Sequence, residues 1–143
     1  MMGVLLDLNI ALDVFLARQP WFAEGTALWQ ANHEKSLVAH LASFSLPTLF
    51  YVMRKQRSSA LALQAVEDCL ASLTIIPVSL STLRLAANMP GSDFEDNLQI
   101  ASAVEAGLDA IVTRDPKGFA GSPVAVLSPV ELLTRITKAD DAR

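Results

Sequence analysis

Short runs of β-branched and other apolar residues alternate along the chain with longer segments whose apolar residues recur every three or four positions. Runs of the first kind are typical of buried strands, and spacings of the second kind are typical of amphipathic helices. The predicted strands cover residues 4–7, 36–40, 74–78, 109–115 and 124–127. The predicted helices cover residues 9–16, 20–34, 46–57, about 59–73, 81–89, 94–106 and 128–138.

Residues that favour helix starts support these boundaries. Ser58 or Ser59 caps the fourth helix, and Asp93 caps the sixth, because these side chains can accept hydrogen bonds from the first backbone N–H groups of a helix. Ser128 followed by Pro129 begins the last helix, since proline is favoured in a first turn.

The alternation of strands and helices also indicates how the chain is organised. Strands that are separated by helices are expected to be parallel, with helices on both faces of the sheet. The pattern shows no internal repeat and no linker rich in glycine or serine. It therefore predicts one α/β domain over residues 1–137, with a parallel sheet of about five strands, and a frayed tail at residues 138–143.

Composition excludes several classes of protein. Of the 143 residues, 52% are hydrophobic and 18% are charged, which is too apolar a balance for a disordered chain. One cysteine, Cys69, and two histidines, His33 and His40, exclude a disulfide framework and a zinc site of the usual ligands. Asp7 and Asp13 interrupt the apolar N-terminus, which has no preceding basic residues and so does not fit a signal peptide. We expect a cytoplasmic protein without a membrane span.

The net charge of −4 does not predict the basic surface that is usual for nucleic-acid binding. The positions of the acids are more informative. Asp7 and Asp115 end the first and fourth predicted strands, and Asp93 and Asp96 open the helix that leads into the fourth. Ligands bind outside the carboxyl ends of the strands in an open parallel sheet. If the first and fourth strands are neighbours, these carboxylates converge on one cleft.

Clustered carboxylates repel one another, and a divalent cation removes that conflict. Oxygen ligands without histidine or cysteine favour Mg²⁺ or Mn²⁺ and therefore phosphate chemistry. Each acid also has a structural interpretation. Asp7 could cap the first helix, Asp93 and Asp96 could form a capping box, and Asp115 before Pro116 could begin a turn.

Three segments carry a family resemblance that spans nearly the whole chain. They are LLDLNIALDVFL, DFEDNLQIASAVEAGLDAIVTRDPKGF and VAVLSPVELL. In these segments the sequence resembles the PIN-domain nucleases and, among them, the toxin components of VapBC-type toxin–antitoxin pairs. The resemblance implies a single PIN-like domain, a metal-dependent endoribonuclease, an RNA substrate and a cognate antitoxin.

The resemblance also implies roles for individual residues. Asp7, Asp96 and Asp115 would bind Mg²⁺ or Mn²⁺ and act in catalysis, with Asp93 in support. Asn9 and Thr113 match polar positions that shape such sites. The sequence departs from the family pattern at Thr48, where an acid is usual on the helix after the second strand. A threonine can hold a metal-bound water but brings no charge.

Basic residues near the predicted cleft offer phosphate contacts. The candidates for RNA binding are Arg54, Lys55, Arg57, Arg114 and Lys117. Each contact of this kind adds salt-dependent affinity. The alternative is that these residues form a solvated surface.

Two other functions stay open. The neutral residue at Thr48 and the negative net charge favour a weak or inactive PIN-like module that binds RNA or a partner protein. A Mg²⁺-dependent phosphotransferase of the receiver type would have acids beside Asp7, where Leu6 and Leu8 stand instead. The high apolar fraction, with Trp21, Phe22 and Trp29 in one helix, also predicts a homodimer.

Overall fold

The computed structural model describes residues 1–142. Within them, five parallel strands form one sheet in the order β3-β2-β1-β4-β5. The strands are β1 (Met2–Leu6), β2 (Leu37–Ala42), β3 (Thr74–Ile76), β4 (Ala110–Val112) and β5 (Ala125–Leu127). The α/β class and the five-stranded parallel sheet that the pattern predicts are therefore confirmed.

Helices connect the strands, and most of their starts follow the capping residues in the sequence. They are α1 (Leu8–Phe15), α2 (Phe22–His33), α3 (Ser45–Gln56), α4 (Ser59–Ser72), α5 (Leu80–Ala87), α6 (Phe94–Glu105) and α7 (Pro129–Asp141). Ser58, rather than Ser59, caps α4, since its hydroxyl accepts a hydrogen bond from the Leu61 N–H at 3.1 Å. Ser128 and Glu131 form a reciprocal capping box at the start of α7.

The central strand β1 lies between β2 and β4, as the convergence of the acids requires. Leu6 pairs with Val112 in parallel register. The backbone N–H of Asp7 then donates to the Val112 carbonyl at 2.9 Å. Asp7 and the residues that follow β4 consequently lie side by side at the carboxyl edge of the sheet.

Alternate residues of β1 are buried in two different cores. Val4 and Leu6 belong to the larger core, which also contains residues of α1, α2, α3, α4 and α7. Leu5 points to the other face and packs with Ile100 and Ala103 of α6. Since both faces of a strand that is covered by helices are dry, β1 is apolar throughout rather than alternating with polar residues. The two cores confirm that helices cover both faces.

Two boundaries differ from the sequence prediction. Strand β4 ends at Val112 rather than at residue 115, because the Thr113 hydroxyl accepts a hydrogen bond from the Asp115 N–H at 3.0 Å and turns the chain. Helix α7 continues through residues 138–141, which the sequence analysis assigns to a frayed tail. Lys138 in the last turn favours this extension through the helix dipole. Residue 143 lies outside the described part of the chain.

Across residues 1–142, none of the helices combines the length and the apolar composition needed to cross a membrane.

Candidate active site

A cleft of about 520 Å³ lies at the carboxyl edge of β1 and β4. Six of the residues that the sequence singles out line it: Asp7, Asn9, Thr48, Asp93, Asp96 and Asp115. The topology therefore brings the four predicted carboxylates to one place. The roles of these residues in metal binding and catalysis remain predictions.

Asp7 is held by a hydrogen bond from the strand beside it. It occupies the N-cap position of α1, but its side chain makes no capping bond. Instead, the buried Thr113 hydroxyl donates to Asp7 Oδ2 at 2.8 Å. Burial raises the pKa of Asp7, although the hydrogen bond from Thr113 and the charge of Arg114 lower it. Thr113 thus orients one carboxylate in the cleft.

Asp93 and Asp96 have different tasks at the start of α6. Asp93 Oδ1 accepts a hydrogen bond from the Asp96 N–H at 3.0 Å and caps the helix. The Asp96 side chain faces the cleft. Burial raises the pKa of Asp96 to about 6, with further increases from the charges of Asp93, Asp7, Glu95 and Asp115. The carboxylates therefore lie close enough to repel one another.

Some residues that line the cleft escape the sequence analysis. Glu95 is exposed and lines the cleft, and Arg18 and Gln99 line it as well. Gly118 lies against Asp96 so closely that a Cβ atom there would collide with the Asp96 carboxylate. Gln99 carries a signal that could have revealed it, since it is a polar residue among the buried apolar residues of α6 and follows Asp96 by three positions. For Gly118 no such signal exists.

The chemistry of the cleft suits a hard divalent cation. Its carboxylate, hydroxyl and amide oxygens are the ligands that Mg²⁺ and Mn²⁺ prefer. Within the described residues, no three of the acids already stand in an arrangement that encloses a metal ion. Mg²⁺ does not need one, because it typically binds one or two carboxylates and keeps several water ligands. The donor set thus fits the metal that the sequence predicts.

The predicted RNA-binding residues lie outside the cleft lining. Arg54, Lys55 and Arg57 are exposed at the end of α3, and Lys117 is exposed in a short 3₁₀ helix at Pro116–Phe119. Gln56, which stands among the first three, does line the cleft. These four basic residues are therefore close in sequence to residues that line the cleft.

Arg114 makes contacts that differ from the prediction. Its Nε and one terminal nitrogen bond both carboxylate oxygens of Asp13, at 2.8 and 3.2 Å. Its guanidinium also stacks on the Trp21 ring, 3.7 Å from the centroid. Asp13 is only 1% exposed. Arg114 is thus part of a partly buried ion pair, and its role in RNA binding stays a prediction.

Trp29 of α2 and Trp21, which directly precedes α2, both pack against other side chains of the protein. Trp29 packs edge-on against Phe15, with ring centroids 5.4 Å apart. Trp21 is 38% exposed but is covered on one face by Arg114. Other exposed apolar side chains stand on α4 and α5: Leu61, Leu63 and Leu70 on α4 and Leu80, Leu83 and Leu85 on α5.

The structure is thus an α/β protein with an acidic cleft at the carboxyl edge of a parallel sheet. Residues 3–117 match the sequence model of the PIN domain family. The chain belongs to the PIN domain family. A comparison with curated proteins finds no match.

Solved structures share the fold over most of the chain. VapBC2 from Rickettsia felis bound to a promoter DNA fragment has a TM-score of 0.67 at 18% identity, covering 89% of this chain and 98% of that one. VapC20 from Mycobacterium tuberculosis, a toxin that cleaves the sarcin-ricin loop, has a TM-score of 0.66 at 13% identity, covering 82% and 93%. PAE2754 from Pyrobaculum aerophilum has a TM-score of 0.61 at 19% identity, covering 96% and 90%. The fold is thus that of VapC toxin structures.

Proposed function

We propose that this protein is a divalent-metal-dependent endoribonuclease and the toxin of a toxin–antitoxin pair. The observation that carries the proposal is the convergence of Asp7, Asp93, Asp96 and Asp115 on one cleft of a PIN domain. The similarity in fold to a toxin that cleaves the sarcin-ricin loop supports RNA as the substrate.

Asp7, Asp96 and Asp115 would hold Mg²⁺ or Mn²⁺, with Asp93 close by. When bound, the cation supplies an activated water and neutralises the charge of a phosphodiester. Thr113 keeps Asp7 turned toward the cleft through the 2.8 Å hydrogen bond. Arg54, Lys55, Arg57 and Lys117 would hold the RNA backbone by its phosphates.

Cleavage of a mixed RNA pool with Mg²⁺ or Mn²⁺ tests the proposal. The wild type should cleave, and Asp7→Asn and Asp96→Asn should abolish cleavage, because each change keeps the size of the side chain and removes its charge. Asp140→Asn makes the same change at an exposed site on α7 and serves as the matched control. Cleavage that survives EDTA and Asp96→Asn would refute the proposal.

A second candidate is a PIN module that binds RNA or a partner protein without cleaving RNA. The residues of α3 that line the cleft favour this binding function, because Thr48, Val52 and Gln56 carry no charge. Thr48→Glu separates the two functions. If the protein is a nuclease, Thr48→Glu should tighten Mn²⁺ binding and raise the rate of RNA cleavage. Metal binding by the wild type without cleavage in any metal would favour the binding module.

We also propose an antitoxin partner and a homodimer. Structures of toxin–antitoxin complexes with the same fold support the first. The exposed leucines of α4 and α5 support a partner surface, because exposed apolar patches mark interaction sites. Light scattering of the purified chain at micromolar concentration should give the mass of a dimer. A monomer mass would contradict the proposed homodimer.

A further inference from the structure

Gln99 is a buried amide in the wall of the acidic cleft. It lies on α6, three residues after Asp96, and so projects from the same side of the helix. Only 4% of it is exposed. Its Nε2 donates to the Ser45 hydroxyl at 3.4 Å. Within residues 1–142, its Oε1 has no hydrogen-bond partner, although the side chain lines the cleft.

An amide oxygen that is buried without a donor is unfavourable and calls for an explanation. The protein groups nearby do not provide one, because the cleft holds mostly acceptors. Five carboxylates line it, and the side-chain donors in its lining, which belong to Asn9, Arg18, Thr48 and Gln56, make no hydrogen bond to this oxygen. A ligand that presents hydrogen-bond donors is therefore the partner this oxygen lacks.

The donor must be small, because Gln99 is almost completely buried. The water ligands of a hydrated divalent cation meet this requirement, since they are small and strongly polarised toward donation. A cation such as Mg²⁺ keeps several of them when it binds to carboxylates. The 2′-hydroxyl of an RNA chain would also donate, and a metal titration in the absence of RNA distinguishes the two sources.

We propose that Gln99 Oε1 accepts a hydrogen bond from a water ligand of the divalent cation held by Asp7, Asp96 and Asp115. The inference rests on the proposed function of the cleft and adds to it a residue of this chain. Gln99 is then a positioning residue. It fixes the cation on a side where α3 contributes only the neutral residues Thr48, Val52 and Gln56.

Mn²⁺ titration by calorimetry tests the role of Gln99 without relying on activity. Gln99→Leu removes the amide and nearly keeps the volume. It should weaken Mn²⁺ binding about tenfold, or about 1.4 kcal/mol, while the metal-free protein unfolds in EDTA at the same urea concentration or a higher one. Ser45→Ala is the matched control, because it removes only the partner of Nε2, and its Mn²⁺ affinity should stay within twofold of the wild type.

Gln99→Glu provides an independent measurement if Gln99→Leu fails to fold. The added carboxylate should lower the melting temperature of the metal-free protein, and Mn²⁺ should raise that temperature more than in the wild type. An equal rise in both proteins would overturn the proposal. So would a Gln99→Leu protein that binds Mn²⁺ as tightly as the wild type. A wild type that binds no Mn²⁺ would overturn both this inference and the proposed function.

Discussion

Replacement of Arg114 by alanine should destabilise the whole domain. The change removes both hydrogen bonds to Asp13 and the stack on Trp21. Asp13 then keeps a charge that is 1% exposed, with only Arg18 nearby at 3.6 Å. A buried charge that loses its partner is costly because neither water nor a counter-ion solvates it.

The expected loss follows from this geometry. Removal of one partner from a buried ion pair costs about 3–5 kcal/mol. The Arg114 side chain keeps 24% of its surface exposed, and Arg18 remains beside Asp13. We therefore expect the lower end, about 3 kcal/mol, out of a total domain stability of about 5–15 kcal/mol. With a urea m-value of about 2 kcal/mol/M, the unfolding midpoint should fall by about 1.5 M.

Urea unfolding followed by circular dichroism measures this loss. Arg54→Ala is the matched control, because Arg54 is an exposed arginine on α3, and surface changes usually stay within about 0.5 kcal/mol. The double variant Asp13→Leu/Arg114→Met should recover most of the stability, since apolar pairs can replace buried ion pairs. A loss below about 1 kcal/mol in Arg114→Ala, combined with weaker RNA binding, would refute this reasoning. Arg114 would then be a phosphate contact.

Three further predictions concern the cleft and the buried thiol. Gly118→Ala should weaken Mn²⁺ binding at least about tenfold in calorimetry, because the new Cβ displaces the Asp96 carboxylate. The Mn²⁺ dissociation constant should rise about tenfold for each pH unit below 6, because Asp96, with a pKa of about 6, is then protonated in the metal-free protein. Cys69 should resist a thiol reagent at pH 8 until urea unfolds the protein, since burial and, to a lesser extent, Asp68 raise its pKa to about 12.

The outcomes that contradict these predictions are distinct. Gly118→Ala with wild-type Mn²⁺ affinity would mean that Asp96 is not a ligand. A pH dependence that persists in Asp96→Asn would belong to another carboxylate. Rapid modification of Cys69 in the native protein would contradict its complete burial.

Much of the fold could be predicted because it depends on local patterns. The apolar run of β1, the serine caps and the regular spacing in the helices each reveal their element without knowledge of the rest of the chain. The position of Asp7 and Asp115 at one sheet edge follows once β1 and β4 are neighbours. That adjacency could only be assumed from the sequence, because it depends on the strand order.

The remaining features of the site depend on contacts between distant residues. Asp13 and Arg114 are 101 positions apart, and no periodicity links them, so the sequence does not predict their ion pair. The contact of Gly118 with Asp96 is likewise not predictable from the sequence, since glycines occur in turns for many reasons. The sequence analysis assigns residues 138–143 to a frayed tail, whereas residues 138–141 form the last turn of α7 in the structure.

The bend of the chain after β4 explains how one short segment serves both the cleft and the core. The chain bends at Arg114, so that its side chain and those of Thr113 and Asp115 contact different parts of the protein. The Thr113 hydroxyl donates a hydrogen bond to Asp7, and the Asp115 side chain lines the cleft. Arg114, which lies between them in sequence, bonds Asp13 instead. The ion pair therefore anchors the segment that carries two cleft residues.

Asp115→Asn should abolish RNA cleavage and leave the urea midpoint unchanged, whereas Arg114→Ala should lower both the cleavage rate and the urea midpoint. Wild-type cleavage by Arg114→Ala would show that the anchor contributes nothing to the cleft, and equal midpoints for the two variants would show that it contributes nothing to stability.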